Sequence, residues 1–305
     1  MAVSRRRQQE RGAVTVVMAV AMTAMIGLVA LGTDVGRLYI AQQRIATVAD
    51  AAALSGAQFL PHDRDGALAA VQQYLTKNGV DPRGVTVSVS EAQRTLSVTV
   101  EDTVIYTFAR IFGNPSGRVE ASAVARVASV TGYNNVVPLG VVRADWQLGD
   151  PVVLKASSGA GYYSPGNYGA LTMGGRGASS YEANVAAGYD GWIRVGDLLP
   201  TETGNMAGPT ERALLSRIAT DPHATWATVR KGSARIIIIP VLASFDVNGR
   251  GEVEIVGFGA FFVERVGTQG NERGSVYGRF LRYVVTGEST GSGGDFATYT
   301  IKLMH

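Results

Sequence analysis

The stretch that decides the architecture is AVTVVMAVAMTAMIGLVALGT, residues 13–33. It carries no charged residue, and its only polar side chains are Thr15, Thr23 and Thr33. At about 1.5 Å rise per residue, a helix of this length extends roughly 31 Å, which matches the hydrocarbon core of a bilayer at about 30 Å. The segment therefore predicts one transmembrane helix.

The residues in front of this segment set its orientation. The tail SRRRQQERG, residues 4–12, holds four arginines and one glutamate. Because basic residues are retained on the cytoplasmic side, we expect residues 1–12 to be a cytoplasmic tail. Everything after Thr33 is then expected to lie outside the cytoplasm. The sequence thus predicts a single-pass protein of the cell membrane, in contact with membrane lipid.

A cleaved secretory signal is the alternative interpretation of the same residues. Ala30-Leu31-Gly32 has the small-x-small form of a cleavage site. The apolar run is, however, longer than the usual signal core of about 7–15 residues. We therefore expect the segment to be retained as an anchor.

Composition narrows the classes of function. The chain has 28 Lys and Arg against 25 Asp and Glu, and the net excess of +3 equals the excess in residues 1–12. The part beyond the tail is therefore neutral, which argues against a nucleic-acid partner. The chain has no cysteine and three histidines, which excludes the usual zinc spacings. We expect no metal and no cofactor.

Residues 34–130 predict a small α+β domain. The run from Ala13 to Pro61 contains no proline before its end and is rich in Ala, Leu, Gln and Arg. It predicts that the transmembrane helix continues outside the membrane, with a bend near Gly32 or Gly36. The following periodicities predict a helix over 63–77, strands over 85–89 and 96–100, a short helix over 106–112 and a strand over 118–130. The order of elements is α-β-β-α-β.

Residues 131–305 predict a second, β-rich domain outside the cytoplasm. A Gly/Tyr/Ser/Asn-rich stretch at 162–191 shows no strong periodicity. The remainder predicts a helix over 210–218 and strands over 235–247, 252–266, 275–286 and 299–303. The whole chain therefore predicts an α+β fold. A single N-terminal transmembrane helix continues as a long helix and is followed by the small α-β-β-α-β unit. A mostly antiparallel β domain, a sandwich or a partly open barrel, completes it.

Two charged residues stand just outside the membrane segment. Asp34 and Arg37 are three residues apart, so they can form an ion pair on one helix face. Two interpretations stay open, an interfacial ion pair and a contact that sets the exit of the helix or binds a partner helix. Gly36 lies between them at the expected bend.

A flank of small residues follows on the same helix, with Ala53 and Gly56 among them. Such a flank lets another backbone approach closely, either inside the domain or in another subunit. Asp50 lies in this flank and needs a partner, for which Arg44 or a basic residue of the following domain is a candidate. We treat this set as candidate helix-packing and assembly contacts.

Other patterns are weaker. The glycine clusters at 159–161, 174–177 and 291–294 lack the spacing of phosphate loops. Lys155 near Ser157 and Ser158 lacks the spacing of a Ser–Lys dyad. A set of aspartates lacks the DxDxDG spacing of a calcium site: Asp145, Asp150, Asp190 and Asp197. A set of tyrosines predicts either a cap on the β core or a carbohydrate or protein contact: Tyr162, Tyr163, Tyr168, Tyr181 and Tyr189. Catalytic residues are not predicted.

The sequence also resembles a known family. The residues that carry the resemblance are Asp34-Val-Gly-Arg-Leu-Tyr39, Gln42-Gln43-Arg44, Ala49-Asp50-Ala-Ala-Ala-Leu54-Ser-Gly56-Ala57 and Phe108-Ala-Arg-Ile-Phe-Gly113. Over residues 5–130 the chain resembles the TadG-like proteins of Tad (Flp) pilus assembly systems. Residues 133–305, with Gly204-Asn-Met-Ala-Gly-Pro-Thr210, are similar to C-terminal regions of TadG-related proteins of some Gram-positive bacteria.

The resemblance implies a membrane-anchored component of a Tad pilus system, minor pilin-like or accessory, without enzymatic activity. Its implied partners are Tad pilus or secretion components and other pilin-like subunits. Members cut by a prepilin peptidase have a glutamate five residues after the glycine of the cleavage site. Here that glycine is Gly12 and the fifth residue is Val17, which argues against cleavage after Gly12. A membrane-tethered module that binds a glycan or protein, and a tethered envelope hydrolase, are the alternative functions.

Overall fold

The computed structural model of the protein describes residues 2–142, 147–156, 168–247, 249–290 and 294–304, with side chains from residue 14 onward. The chain divides into two compact units. Unit 1 comprises Met1–Arg126 and Lys302–His305, and unit 2 comprises Val127–Ile301. Because each unit has its own core, the two are described separately.

Unit 1 is built on one long helix, α1, which spans Ala2–Ala57 without interruption. The helical hydrogen bonding continues through Gly32 and Gly36, the positions of the expected bend. From Val14 to Leu31 the large apolar side chains are all more than half exposed to solvent. Among the described residues, α1 is the one helix that is long and apolar enough to cross a membrane.

The remainder of unit 1 follows the predicted order. Helix α2, Arg64–Lys77, begins after Asp63, whose carboxylate accepts a hydrogen bond from the Gly66 N–H at 2.7 Å. Strands β1 (Val85–Ser90), β2 (Thr95–Ile105) and β3 (Ser116–Ser129) pair antiparallel in that order. The short helix between β2 and β3 is a 3₁₀ turn, Ala109–Phe112.

The core of unit 1 lies where the last third of α1 meets α2 and β2. Ala49, Ala52, Ala53 and Ala57 are buried on α1, and Ala67, Val71 and Leu75 are buried on α2. Leu96, Val98 and Val100 supply the sheet side of this core. Since alanine adds only a methyl group to the helix surface, the small flank lets these elements approach closely.

Unit 2 contains the remaining strands and helices. They are β4 (Gly132–Tyr133), β5 (Val141–Val142), β6 (Pro151–Lys155), α3 (Ala178–Ala187), β7 (Ile193–Arg194), β8 (Leu198–Pro200), α4 (Ala207–Thr220), β9 (Ile236–Leu242), β10 (Glu252–Val266), β11 (Val276–Leu281), β12 (Tyr283–Val284) and β13 (Thr298–Met304). The last three residues of β13 belong to unit 1.

The main sheet of unit 2 has the strand order β5-β9-β10-β11-β6, with β8 paired to one end of β10. Its strands are antiparallel except for the parallel pair β5–β9, and β12 and β13 also pair parallel. The register shifts between Ile255 and Gly257, where β10 has a bulge. The prediction of a mostly antiparallel sheet is therefore confirmed.

Two hydrophobic clusters cover the two faces of this sheet. On one face Ile237, Ile239 and Phe261 pack with Tyr181 of α3 and Leu214 of α4. The other face packs with residues from loops and short strands. Helices α3 and α4 thus occupy the place of the second sheet, so the predicted sandwich or barrel is wrong.

Two further predictions for unit 2 are corrected by the structure. The segment 162–191 includes helix α3, which its Gly/Ser-rich composition concealed. The single strand predicted over 275–286 is interrupted at Arg282, so that β12 leaves β11 and pairs with β13 instead.

The close packing of α1 generates a prediction with a matched control. A Cβ atom at Gly56 would lie 2.6 Å from Leu96 Cδ1, 2.6 Å from Val71 Cγ2 and 2.9 Å from the Ala67 carbonyl oxygen, whereas one at Gly36 meets no atom within 4 Å. We expect Gly56→Ala to destabilise unit 1 by about 1–3 kcal/mol because the core is overpacked. Gly36→Ala is expected to be neutral or stabilising by up to about 1 kcal/mol. Hydrogen exchange of the β2 amides, in detergent-solubilised protein, measures both; equal protection in the two variants would contradict the packing argument.

Candidate functional site

The best-defined polar site in unit 1 lies at the first residue beyond the apolar segment. Asp34 is only 4 % exposed, although it lies on a helix whose preceding residues are open to solvent. Its carboxylate accepts hydrogen bonds from the N–H groups of Thr107 (2.7 Å), Phe108 (3.0 Å) and Ala109 (2.8 Å). Asp34 thus joins α1 to the loop between β2 and β3.

The local structure of that loop explains why a carboxylate is needed there. The first N–H groups of a helical turn have no partner inside the turn. Phe108 is the N-cap residue of the 3₁₀ turn and provides no side-chain cap itself. The side chain of Asp34 supplies the missing acceptor from another element, so the loop conformation depends on α1.

Three further contacts continue along the same face of α1. Arg37 donates from Nη1 to the Thr107 hydroxyl at 2.6 Å, and Gln42 donates from Nε2 to the Glu120 carbonyl at 2.8 Å. Between them, Leu38 Cδ2 lies 3.3 Å from the position that a Cβ atom of Gly117 would take. Arg37 therefore supports the loop together with Asp34, rather than serving only as its ion-pair partner.

The environment of Asp34 favours the charged form. Burial raises the pKa of its carboxyl group, but the hydrogen bonds from Ala109, Thr107 and Phe108, with the charge of Arg37, outweigh burial and lower the pKa below the ordinary 3.8. Asp34 is therefore an ionised, fully engaged carboxylate at neutral pH.

The small-residue flank lies inside unit 1. Ala53 is fully buried, and Gly56 packs against α2 and β2. Arg44 is exposed and donates to the Asn78 carbonyl at 3.5 Å, which is a weak contact at the C-terminus of α2. Asp50 is half-buried on α1. The candidate contacts thus separate into an inner group and residues at the surface of the unit.

Two other predicted positions lie on α1. Gly12 is within the helix, ahead of the residues whose side chains the structure describes. Gly36 is half-buried, and the space around its Cα is open.

Unit 2 contains a buried lysine that sequence patterns indicated only by type. Lys155, at the end of β6, is fully buried, and its Nζ donates to Asn205 Oδ1 at 3.0 Å and to the Gly274 carbonyl at 3.3 Å. Burial lowers the pKa of the Lys155 ammonium to about 8. The neighbouring Ser157 and Ser158 lie outside the described residues.

One partner of Lys155, Asn205, belongs to the turn that starts α4, and the other, Gly274, lies just before β11. Met206 adopts a left-handed conformation with φ of 48°, and its carbonyl accepts a hydrogen bond from the Thr210 hydroxyl at 2.8 Å. Tyr181 of α3 shares a hydrogen bond of 3.0 Å with the same hydroxyl, and burial raises the pKa of this tyrosine. The Gly204–Thr210 motif therefore forms a buried polar network that fixes α4 against α3 and β6.

The remaining candidates do not assemble into a site for a metal ion or phosphate among the described residues. The Gly174–Gly177 cluster turns into α3, and the Gly177 N–H is taken by Glu202 Oε1 at 2.9 Å. Among the described residues no group of three or more His, Asp or Glu side chains could hold a metal ion. Asp145, Tyr162, Tyr163 and the clusters at 159–161 and 291–293 fall outside the described residues.

A small polar cleft of about 210 Å³ lies on unit 2. Its charged groups are those of Arg176, Arg250, Glu202 and Glu252, beside backbone of β8 and the start of β10. Glu202 is committed to Thr172 and Gly177 by hydrogen bonds of 3.0 and 2.9 Å. The two arginines and Glu252 are therefore the charged groups of this cleft that a hydroxylated ligand would meet.

Sequence reasoning did not find the partner of Asp34. The three N–H groups lie more than 70 residues away and carry no side-chain signature, since any residue type supplies a backbone donor. The sequence does indicate that Asp34 has a partner, because a carboxylate without one at the end of an apolar helix would be unfavourable.

The Asp34 cap predicts an acid-sensitive loop. Because its folded pKa is lowered, the carboxylate stabilises the loop above pH 3.8 and loses this effect as the pH falls through the lower folded value. We expect Asp34→Asn to speed trypsin cleavage after the exposed Arg110 at neutral pH, in detergent-solubilised protein, and to remove the acid-dependent rise of hydrogen exchange at 107–109. Glu91→Gln, in the exposed turn between β1 and β2, is the control and should change neither. Normal cleavage of the Asp34→Asn protein would contradict the cap.

Lys155 predicts that the stability of unit 2 also rises with pH, but in the alkaline range. Between pH 8 and 10.5 the unfolded chain holds the proton that the folded lysine has lost, so stability rises with pH. The rise attributable to Lys155 is roughly 3 kcal/mol. All three tryptophans lie in unit 2, so urea denaturation followed by tryptophan fluorescence reports on this unit. Lys155→Met should abolish the rise and the exposed Lys231→Met should keep it; the same slope in both variants would show that Lys155 is not buried as a cation.

Comparison with known proteins finds a family similarity in the segment that contains Asp34. Residues 12–58 match the Tad family, described as "Putative Flp pilus-assembly TadE/G-like". No match to the chain was found among curated proteins or among solved structures. The matched range contains the apolar segment, Asp34 and the small-residue flank, and ends as α1 ends. Residues 12–58 of this chain are thus similar to the TadE/G-like Flp pilus-assembly family, as the sequence motifs indicated.

Proposed function

We propose that the chain is a non-enzymatic, membrane-anchored component of a Tad (Flp) pilus assembly system, acting as a minor pilin-like or accessory envelope protein. One observation carries the proposal. The family segment is a single helix whose first part is apolar and exposed and whose last part forms the core of a folded unit. Such a helix couples an anchor directly to a domain, which is what an assembly component needs.

Asp34 is where these two parts of the helix meet. A force on the apolar segment would reach the β2–β3 loop through the three hydrogen bonds of Asp34 and then the sheet. Arg37 and Gln42 add two further connections. These contacts support a role in which the anchor and unit 1 move as one body.

The arginine-rich tail supports an orientation with the N-terminus in the cytoplasm and both units outside it. We infer that residues 1–12 are retained, because Val17 stands where a processed pilin has its glutamate. The protein would then stay in the membrane as an accessory component rather than enter a filament by way of a cleaved N-terminus.

The surface available to other subunits is the outer face of α1. Ala53 and Gly56 are buried inside unit 1, so we do not assign them to subunit contacts. Tyr39, Ile40 and Arg44 are exposed on the helix beyond the apolar segment. We propose that this face, with the apolar segment below it, meets pilin-like subunits or other Tad components.

The polar cleft of unit 2 supports a second function, a tethered module that binds a surface glycan or protein. Arginine and glutamate side chains beside backbone polar groups suit hydroxylated ligands such as a glycan. The two functions are compatible in one chain, because the cleft and the Asp34 site lie in different units.

The proposed role is tested in a strain that lacks the chain, complemented with variants. We expect the wild type and Glu91→Gln to restore surface pili, measured in sheared cell fractions and by electron microscopy. Asp34→Asn should restore them poorly while reaching the same membrane abundance, because its anchor is uncoupled from the domain. A strain without the chain that displays normal pili but has lost glycan adhesion would favour the binding module; normal pili and normal adhesion would contradict both functions.

A further inference from the structure

The loop between β2 and β3 exposes two large apolar side chains. Ile111 and Phe112 are 76 % and 83 % exposed, the highest values among the large hydrophobic residues of the described chain. Both belong to the 3₁₀ turn that Asp34 holds, and Gly113 closes the turn with a left-handed φ of 89°. A rigidly held turn that displays isoleucine and phenylalanine to water needs a partner surface.

The contacts between α1 and β3 show which way the loop extends. Gln42 bonds to residue 120, Leu38 packs next to residue 117, and Asp34 bonds to residues 107–109. As α1 is followed from Gln42 towards the apolar segment, the residues that it contacts therefore pass from β3 into the loop. From Gln42 to Asp34 the helix descends about 12 Å, and β3 covers a similar distance between residues 120 and 116 at about 3.3 Å per residue.

The tip of the loop, residues 109–114, thus lies level with Asp34 or beyond it. Asp34 is the first residue after a segment that fills a hydrocarbon core by length. The headgroup zone extends roughly 5–8 Å outside that core on each side. A loop at the level of Asp34 therefore lies within the headgroup zone.

We propose that this tip docks on the extracytoplasmic face of the bilayer, with Ile111 and Phe112 inserted at the headgroup–acyl boundary and Arg110 bound to lipid phosphate. The inference rests on the proposed transmembrane placement of residues 13–33. It adds a second point of membrane attachment, on a loop that carries no transmembrane signal of its own.

Continuity favours lipid over a protein partner. The exposed apolar side chains of the tip adjoin the exposed apolar segment of α1, so one lipid phase covers both. Arg110, which precedes Ile111 in the chain, is also exposed, and cationic side chains next to apolar ones are typical of interfacial segments. The nearby Arg118 is paired with Glu101 at 3.3 Å, which leaves Arg110 as the better placed cation of the tip.

Two attachment points constrain the protein more than one. A single helix can rotate about its own axis in the bilayer, whereas an inserted loop beside it opposes that rotation. Docking would fix which face of α1 is turned towards neighbouring components and would hold the exposed Tyr39 and Ile40 in one direction.

Spin-label depth measurements test this on the full chain, which has no native cysteine. The protein carries a single label at Asn114→Cys in the tip, Gln93→Cys in the β1–β2 turn or Met25→Cys in the apolar segment. It is reconstituted into vesicles of phosphatidylcholine and phosphatidylglycerol, diluted with unlabelled protein. We expect the ratio of collisions with oxygen to collisions with a water-soluble nickel complex to be several-fold higher at 114 than at 93. Adding Ile111→Ser and Phe112→Ser to the Asn114→Cys protein should return the ratio to the value at 93.

The possible outcomes test loop docking and the transmembrane anchor separately. A lipid-like ratio at 25 with a water-like ratio at 114 overturns loop docking and leaves the anchor in place. A water-like ratio at 25 overturns the anchor and docking together. Dipolar broadening at 114 in undiluted protein, with no rise in the oxygen ratio, shows that the tip faces a second copy and also overturns docking on lipid.

Discussion

The burial of one carboxylate at the end of the apolar segment is the constraint on which unit 1 depends. A lone charge at that position would be unfavourable if it were desolvated without partners. The fold meets this cost with three backbone N–H groups from a loop more than 70 residues away. These N–H groups lie at the start of a helical turn and have no acceptor within it. The carboxylate and the N–H groups therefore supply each other with the hydrogen-bond partners that each would otherwise lack.

The core behind this cap depends on the absence of side-chain atoms. At Gly56 the neighbouring atoms of α2 and β2 come within 3 Å of where a Cβ would lie. Ala53 and Ala52 are fully buried in the same region. The same small residues that would suit a subunit interface are therefore used to bring α1 against its own domain. Composition alone does not distinguish the two uses, because close approach of backbones is common to both.

The sequence was informative where a pattern is local. The period of the apolar residues placed α2 within one residue of its observed bounds. Alternation placed β1 and the start of β2 equally well, although β2 extends beyond the predicted end to Ile105. The apolar run over 252–266 matched β10. Helix α3 was missed because its residues, ASSYEANVAA, have only Tyr181 and Val185 buried, which is too few for a period to show. The break between β11 and β12 was missed because it depends on pairing with β13, a partner more than ten residues away.

The candidate site, like the fold, was predictable from the sequence only where the pattern is local. That Asp34 and Arg37 matter could be inferred from two charges next to an apolar segment. Their binding partners could not be inferred, since backbone N–H groups carry no sequence signature. Lys155 was recognised by type but not by role, because its partners Asn205 and Gly274 lie in two other segments that are distant from it in sequence. In each case the missing information is long-range contact.

With residues 13–33 placed across a bilayer as proposed, the position of Asp34 also decides how far unit 1 stands from the membrane. A long helix after a transmembrane segment suggests a stalk that would lift the domain clear of the lipid. Packing of unit 1 begins instead at the first residue beyond the apolar segment, and the contacts of Arg37, Leu38 and Gln42 follow at once. The exposed part of α1 is thus the part that lipid or other subunits would cover, and the rest is core. A pilus-associated protein built in this way would present its folded part at the membrane surface, where an assembly system operates. Because no flexible joint separates the anchor from unit 1, a movement of the anchor would also move unit 1.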